Sequence, residues 1–397
     1  MNFSLLCRSR STDLNLSVFT TVKELDAEKW NRVIGNENLY LSIPYLEALE
    51  LAVDDGTEFR YLLLDHEQHG TVGVASVQIV KFRGSNSKTH DELCFLTRKI
   101  KDLFAGPDGF RVMTCGNVFS CGENGFAFTD DLPPEEMLAG LSDGLAQLQK
   151  TEKASLDSSL LLLKEFWPGS RNITDLFKNY KFRDFSADVN MVLNIHPSWN
   201  SMEDYLGSMQ AKFRTKANAA FKRSAGLTVR SLTADEILDF STDIDRLYLD
   251  VVKKSPYTFG TLNAKAFSNF KKYLGDHFIL NAYFLEEQLV AFSSAFAFNG
   301  ILDANYVGIE YELNQQYAIY PRMLYDFVEL AIRMGSKELR LGRTAEEIKS
   351  SIGAVPVDMR LYVRHENSLS NKLIKPIIKS ITPSDFELRK PFKVQFG

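Results

Sequence analysis

The stretch LGRTAEEIKSSIGA, Leu341–Ala354, lies between two alternating runs, KELRL (Lys337–Leu341) and VPVDMRLYVR (Val355–Arg364). It reads as a short helix between two strands. Thr344 followed three residues later by Glu347 predicts a capping box at the helix start. Ile348 and Ile352 fall one turn apart and give a single apolar stripe. Gly353 suits the left-handed position that ends a helix. Lys349 lies off the isoleucine stripe, so it is expected to reach solvent or a cleft.

Working outward, the segments on either side follow one programme twice. In the first half a strand, LSVFTTV, precedes two helical stretches, ELDAEKWNRVI and IPYLEALELAV. A hairpin turning at HEQHG comes next, then the strand FRVMTCGNVF. A helix opens at Pro133–Pro134, where proline and glutamates favour a helix start. The strand SSLLLLKEF, the helix ITDLFKNY and the strand ADVNMVLNI close the half. The second half runs LTVRSL, then TADEILDFSTDIDRLYLDVV with Thr233 and Glu236 as a capping box, then KAFSNFKKYLG. Its hairpin turns at Glu286–Gln288. ILDANYVGI, the helix YPRMLYDFVELAIRM and the opening stretch complete it. Both halves read β-α-α-β-β-β-α-β-α-β, which predicts a mixed-sheet α/β protein built from a duplicated module, residues 1–198 and 199–397.

A linking basic helix is expected over about 201–225, capped by Ser201 and ended by Gly226. At 100° per residue, Lys212, Lys216 and Arg223 share one narrow face, a row suited to an anionic group such as a phosphate. A C-terminal extension is expected over about 366–397. It mixes lysines with isoleucines and phenylalanines, and its prolines break any long amphipathic helix.

The composition narrows the field. The chain has 397 residues, 45% hydrophobic and 24% charged, with formal net charge −5. That balance gives no general attraction to DNA or anionic lipid. No apolar run is long enough for a transmembrane helix. Cys7, Cys94, Cys115 and Cys121 lack zinc spacing, and no metal site is expected among the histidines. Reduced thiols and an N-terminus without signal-peptide order predict a cytoplasmic protein. The G-x-S-x-G motif is absent, and no Ser-His-Asp arrangement is apparent.

The segments KFRTKANAAFKRSAGLTV, YPRMLYDFVELAIRMG and LGRTAEEIKSSIGA, in this element order, resemble the GNAT acyltransferase fold, and two such modules in tandem resemble its FemAB-like branch. Gly342, Lys349 and Gly353 carry the match to a recurrent glycine–lysine–glycine pattern. The Gly-rich pyrophosphate loop of typical GNAT enzymes is missing; the chain has LNQQYAIYPR there. The helical hairpin that several peptidoglycan aminoacyltransferases use to grip transfer RNA is not evident, so transfer RNA is not the favoured partner.

The resemblance implies an N-acyltransferase that moves an acyl group from a thioester donor, acyl-CoA, to an amine acceptor such as a cell-envelope or polysaccharide precursor. Its rivals are an aminoacyl-tRNA-dependent aminoacyltransferase and a non-catalytic module that binds an anionic ligand. An amine must lose its proton before it attacks, which calls for a carboxylate. Glu310, at the end of ILDANYVGI, is the expected base, with Tyr320 as the acid for the leaving group. By analogy Gln316, Tyr317, Ala318 and Ile319 form a phosphate cradle at a helix start, with Arg322 adding charge. Lys212, Lys216, Arg343 and Lys349 are the expected substrate-binding cations.

Overall fold

The computed structural model describes residues 7–8, 13–35, 38–53, 56–82, 110–156, 158–254, 261–379 and 386–396. Cys94 lies outside them. The chain divides into two compact units, one of residues Met1–Asp188, Pro256–Gly260 and Asp358–Pro383, the other of Val189–Ser255, Thr261–Val357 and Ser384–Gly397.

In the first unit, strands β1 (Cys7–Arg8), β2 (Leu14–Phe19), β3 (Thr57–His66), β4 (Gly70–Phe82), β5 (Phe110–Cys115) and β7 (Ser158–Phe166) lie side by side in that order, with β6 (Phe126–Phe128) on β4. Residues Arg360–His365 of strand β14 (Val355–His365) pair with β7. The HEQHG turn joins β3 to β4 as expected, with His66 opposite Gly70. Only β5 and β7 run parallel within this set, because helix α3 (Pro134–Leu156) crosses between them. Helices α1 (Ala27–Ile34) and α2 (Ile43–Ala52) precede β3, and the single-turn α4 (Arg171–Thr174) follows β7. Leu14, Leu16, Leu62 and Leu64 from the sheet meet Leu138, Leu141 and Leu145 from α3 in one core.

The second unit repeats the order. Strand β8 (Arg183–Asn194) contributes its residues from Val189 on. Across the sheet β13 (Glu338–Arg340), β12 (Ile301–Ile309), β11 (Gln288–Phe298), β10 (Phe278–Leu285) and β9 (Leu227–Ser231) come next. β12 and β13 are parallel and are bridged by helix α11 (Ile319–Arg333). Gly335 has φ +64 just past that helix. The core on this side of the sheet joins Met191, Leu193, Leu302 and Leu339 to Leu324, Val328 and Ala331 of α11.

Two expected helices are each broken in two. The basic segment forms α5 (Met202–Ser208) and α6 (Ala211–Arg223), with Ser201 capping the first. Met209 and Gln210 between them are extended because the buried Met209 bridges to Phe392 and the Gln210 N–H donates to the Pro391 carbonyl at 2.8 Å. Likewise α7 (Ala234–Asp239) and α8 (Ser241–Lys254) part at Phe240, whose ring packs edge-on against Phe284. The Thr233–Glu236 capping box forms as read. Helices α9 (Ala264–Leu274), α10 (Tyr311–Tyr317), α12 (Glu346–Ser351) and α13 (Ser368–Lys379) complete the set used below.

Candidate active site in the second unit

The parallel pairing of β12 and β13 stops at Asp303 opposite Arg340, while β12 runs on to Ile309. Beyond that point the chain after β13 leaves β12 but stays on β8, to which β13 is already paired: the Leu341 N–H donates to the Met191 carbonyl and the Met191 N–H to that of Gly342. Gly342, at φ +67, makes this departure. The two strands therefore splay, and the segments leaving their ends line a cleft of ≈ 710 Å³. One wall is Ala318, Pro321 and Tyr325 at the start of α11. The second is Ala345–Ile348 and Ser351 around α12, and the third is Lys216, Ala219, Ala220 and Arg223 on α6. Phe386 and Arg389, from the segment near the C-terminus, close it.

The charged groups here are specific. Lys216 and Arg223 are exposed on α6, and Arg223 Nε donates to the Gln316 carbonyl at 3.3 Å. Arg389 pairs with Glu347 and Glu387, and its backbone N–H donates to Ser350 Oγ at 3.0 Å. The hydrogen bond from Arg389, aided by the Lys216 charge, holds the Glu347 carboxyl below its usual range. Lys212 lies one turn before Lys216, its ammonium 5.9 Å from the centroid of the Phe213 ring, and it is not among the residues lining the cleft.

The stretch around α12 folds differently from its local pattern. Thr344 and Ala345 both have positive φ, Ala345 is the N-cap of α12, and no side chain caps that helix. Glu347 turns to Arg389 instead, so the capping box does not form. Gly353 takes the left-handed position, with φ +100. Lys349 is buried, 4% exposed, and its ammonium donates to the Arg343 carbonyl at 2.5 Å. It pins the turn after β13 rather than facing a ligand. A Lys349→Ala variant is expected to lose about 2–4 kcal/mol of stability in thermal or urea unfolding, by loss of packing and of a buried hydrogen bond. Ligand affinity should change far less in the fraction that remains folded.

The helix start differs from a backbone phosphate cradle. The run LNQQYAIYPR, Leu313–Arg322, expected as a loop, is instead mostly helical: its first five residues belong to α10, which ends at Ala318 in the left-handed region. The Tyr320 N–H is already taken by Asn314 Oδ1 at 2.9 Å, and Pro321 has no N–H to offer. Arg322 is directed to Asp326, with Nε 2.6 Å from Oδ1, and to Ser224 Oγ at 3.4 Å. Tyr283 Oη donates to the other Asp326 oxygen at 2.9 Å. Burial raises the Asp326 pKa despite Arg322. Its folded pKa therefore exceeds the unfolded one, so stability is greatest below the unfolded value and falls as pH rises through the folded value. Compared with Asp326→Asn, the native chain should lose stability over that window in pH-dependent unfolding.

The two expected catalytic residues do not line the cleft. Glu310 Oε2 receives Arg246 at 2.5 Å and sits at the N-cap of α10. Tyr320 is partly buried between two core clusters, and burial, with Tyr311 and Glu346 nearby, pushes its phenol well up. Gln316, Tyr317 and Ile319 belong to α10 and α11, and of this run Ala318 alone lines the cleft. Glu346, Glu347 and Arg389 are the charged lining residues that spacing along the chain did not reveal.

In the first unit the corresponding ends of β5 and β7 are occupied differently. Lys164 donates to the Asn117 carbonyl at 2.7 Å and to that of Ser120, and its ammonium lies 3.3 Å from Glu165. Glu165 in turn accepts the Gly122 N–H at 3.1 Å. This buried pair ties the loop after β5 to the strand ends. Among the described residues no cluster of histidine, cysteine and carboxylate groups suited to a metal ion occurs, and no helix is long and apolar enough to cross a membrane.

No protein-family model and no curated protein matches the chain. Solved structures do match it in fold. The crystal structure of FemX superposes with a TM-score of 0.52 at 12% identity, over 91% of this chain and 99% of FemX. A tandem GNAT protein from the clavulanic acid biosynthesis pathway gives 0.50 at 10% identity, over 89% and 99%. The C-terminal domain attributed to a lysylphosphatidylglycerol synthetase of Agrobacterium fabrum gives 0.50 at 8%, over 90% and 96%. The chain has the FemAB-like tandem GNAT fold.

Proposed function

We propose that this chain is an N-acyltransferase, with the second unit binding a phosphate-bearing acyl thioester such as an acyl-CoA and passing the acyl group to an amine. The observation that carries the reading is the cleft at the β12–β13 splay, with Lys216, Arg223 and Arg389 on its walls. Its volume lies in the range of small-ligand sites. Side-chain cations take over the role of the depleted backbone cradle: Arg223 and Lys216 hold phosphate oxygens by charge-assisted hydrogen bonds. The acyl carbonyl is assigned to the splay, with the backbone of β12 beyond Asp303 as the proposed source of an oxyanion donor.

Of the carboxylates near the splay, Glu346 and Glu347 line the cleft and Glu310 does not, and Arg389 holds the Glu347 carboxyl below its usual range, which makes it a weaker base. Glu346 is therefore the group assigned to take the proton from the attacking amine. The amine displaces the thiolate, the new amide bond replaces the thioester bond, and the thiolate leaves as the thiol. A cell-envelope or polysaccharide precursor is the acceptor class in this reading. Thiol release from acetyl-CoA should be measured with a panel of amines. Activity in the native chain, falling at least about 100-fold in Glu346→Gln with coenzyme A affinity retained, supports the assignment. Unchanged turnover in that variant removes Glu346, and absence of any coenzyme A binding removes the donor class.

A second reading rests on α6, where Lys212, Lys216 and Arg223 are exposed and share one face. An aminoacyl-tRNA donor would use that ridge, and its binding would weaken steeply with salt, with a log–log slope of about −2 for three phosphates.

A further inference from the structure

We propose that the outward face of helix α13, in the first unit, docks reversibly on anionic lipid headgroups. A surface helix ordinarily has one apolar face, turned inward. Helix α13 has two. Asn371, Ile374 and Ile378 are buried, and at 100° per residue they share one side. Leu369, Leu373 and Pro376 fall on the opposite side, and the two leucines are 69% and 47% exposed. Lys372 and Lys375 are exposed along one flank of that outer stripe, and the helix contains no acidic residue.

The face is rigidly presented. Asn371 Oδ1 accepts the His365 N–H and Asn371 Nδ2 donates to the Lys181 carbonyl, each at 2.9 Å, while Arg183 Nε donates to the Asn371 carbonyl at 2.8 Å. Lys181, whose backbone is thereby fixed beside the helix, has an exposed side chain and adds a third cation.

Charge decides the occupant. The whole chain is acidic, with formal net charge −5, so attraction to an anionic surface must come from such a local cluster. Two leucine tips and a proline are too small to form the centre of a stable protein interface, which buries roughly 800 Å² on each partner. They suffice for an interfacial helix, where leucines enter the headgroup boundary and lysines stay among the phosphates without any shape match.

Sedimentation of the full chain with phosphatidylcholine vesicles, and with vesicles holding about 30% phosphatidylglycerol, tests this. Binding is expected to the anionic vesicles alone and should fall sharply at high salt. Lys372→Ala with Lys375→Ala should weaken it about 10-fold or more, and Leu369→Ser with Leu373→Ser should weaken it comparably. All four positions are exposed, so melting temperatures should not move. Equal binding to neutral vesicles, no binding to either, or indifference to both double variants overturns the proposal. So does an oligomer, seen by light scattering, that the leucine substitutions convert to monomer.

Discussion

Gly353→Ala is expected to destabilise the second unit by about 3–5 kcal/mol and to weaken ligand binding in its cleft. Gly353 holds φ +100, a conformation that side-chain-bearing residues seldom adopt. An added Cβ would also overlap the Phe392 ring and come within 3.2 Å of Leu193 Cδ1. The ring has no easy way out. It packs at 5.1 Å against Trp199 and 5.9 Å against Tyr205, and the Phe392 carbonyl accepts from Gln210 Nε2 at 3.1 Å. Strain and overpacking each cost about 1–3 kcal/mol, and here they act together. For a unit of this size that corresponds to a melting point lowered by roughly 10 °C. Phe392 lies three residues after Arg389, so relief of the clash would drag a cleft wall outward. Gly342→Ala is the comparison. Its φ is +67, but the nearest atom to an added Cβ is the Ala304 carbonyl oxygen at 4.0 Å. It should cost only about 1–2 kcal/mol. Differential scanning calorimetry of both variants checks the pair; equal shifts would mean that the Phe392 contact contributes nothing.

The same contact explains what the sequence could and could not tell. The hairpin turns at His66–Gly70 and Glu286–Gln288, the Ser201 cap and the Thr233 capping box are decided within four or five residues, and each forms as read. The breaks at Met209–Gln210 and Phe240 are decided by partners far along the chain, Phe392 and Phe284, and nothing local announces them. Lys349 departs from its expected place for a related reason. Six residues of helix define an apolar stripe but not which of the other faces is covered, and here the turn at Arg343 covers the lysine. The row of Lys216 and Arg223 is legible because seven residues bring two side chains to one helix face by geometry alone. Arg389 is not, because it reaches α12 from forty residues downstream.

Charge reversal of that legible row should have the largest functional effect of any surface change. Lys216→Glu with Arg223→Glu is expected to reduce affinity for a phosphate-bearing donor by at least about 100-fold, since each charge-assisted hydrogen bond contributes roughly 1.5–3 kcal/mol. Both side chains are exposed, so the melting temperature without ligand should change little. Calorimetric titration with coenzyme A, paired with unfolding of the free protein, separates the two. Arg389 should behave otherwise. Its guanidinium is already engaged by Glu347 and Glu387, so an incoming phosphate must compete with both. Arg389→Gln should therefore cost less than either reversal, about 10-fold or below. Glu347→Gln removes one competitor and one negative charge from the cleft wall, and it should raise anion affinity by about 2–5-fold. If affinity falls in Glu347→Gln, the carboxylate orients Arg389 toward the ligand instead of holding it back, and the competition argument fails while the role of Lys216 and Arg223 stands.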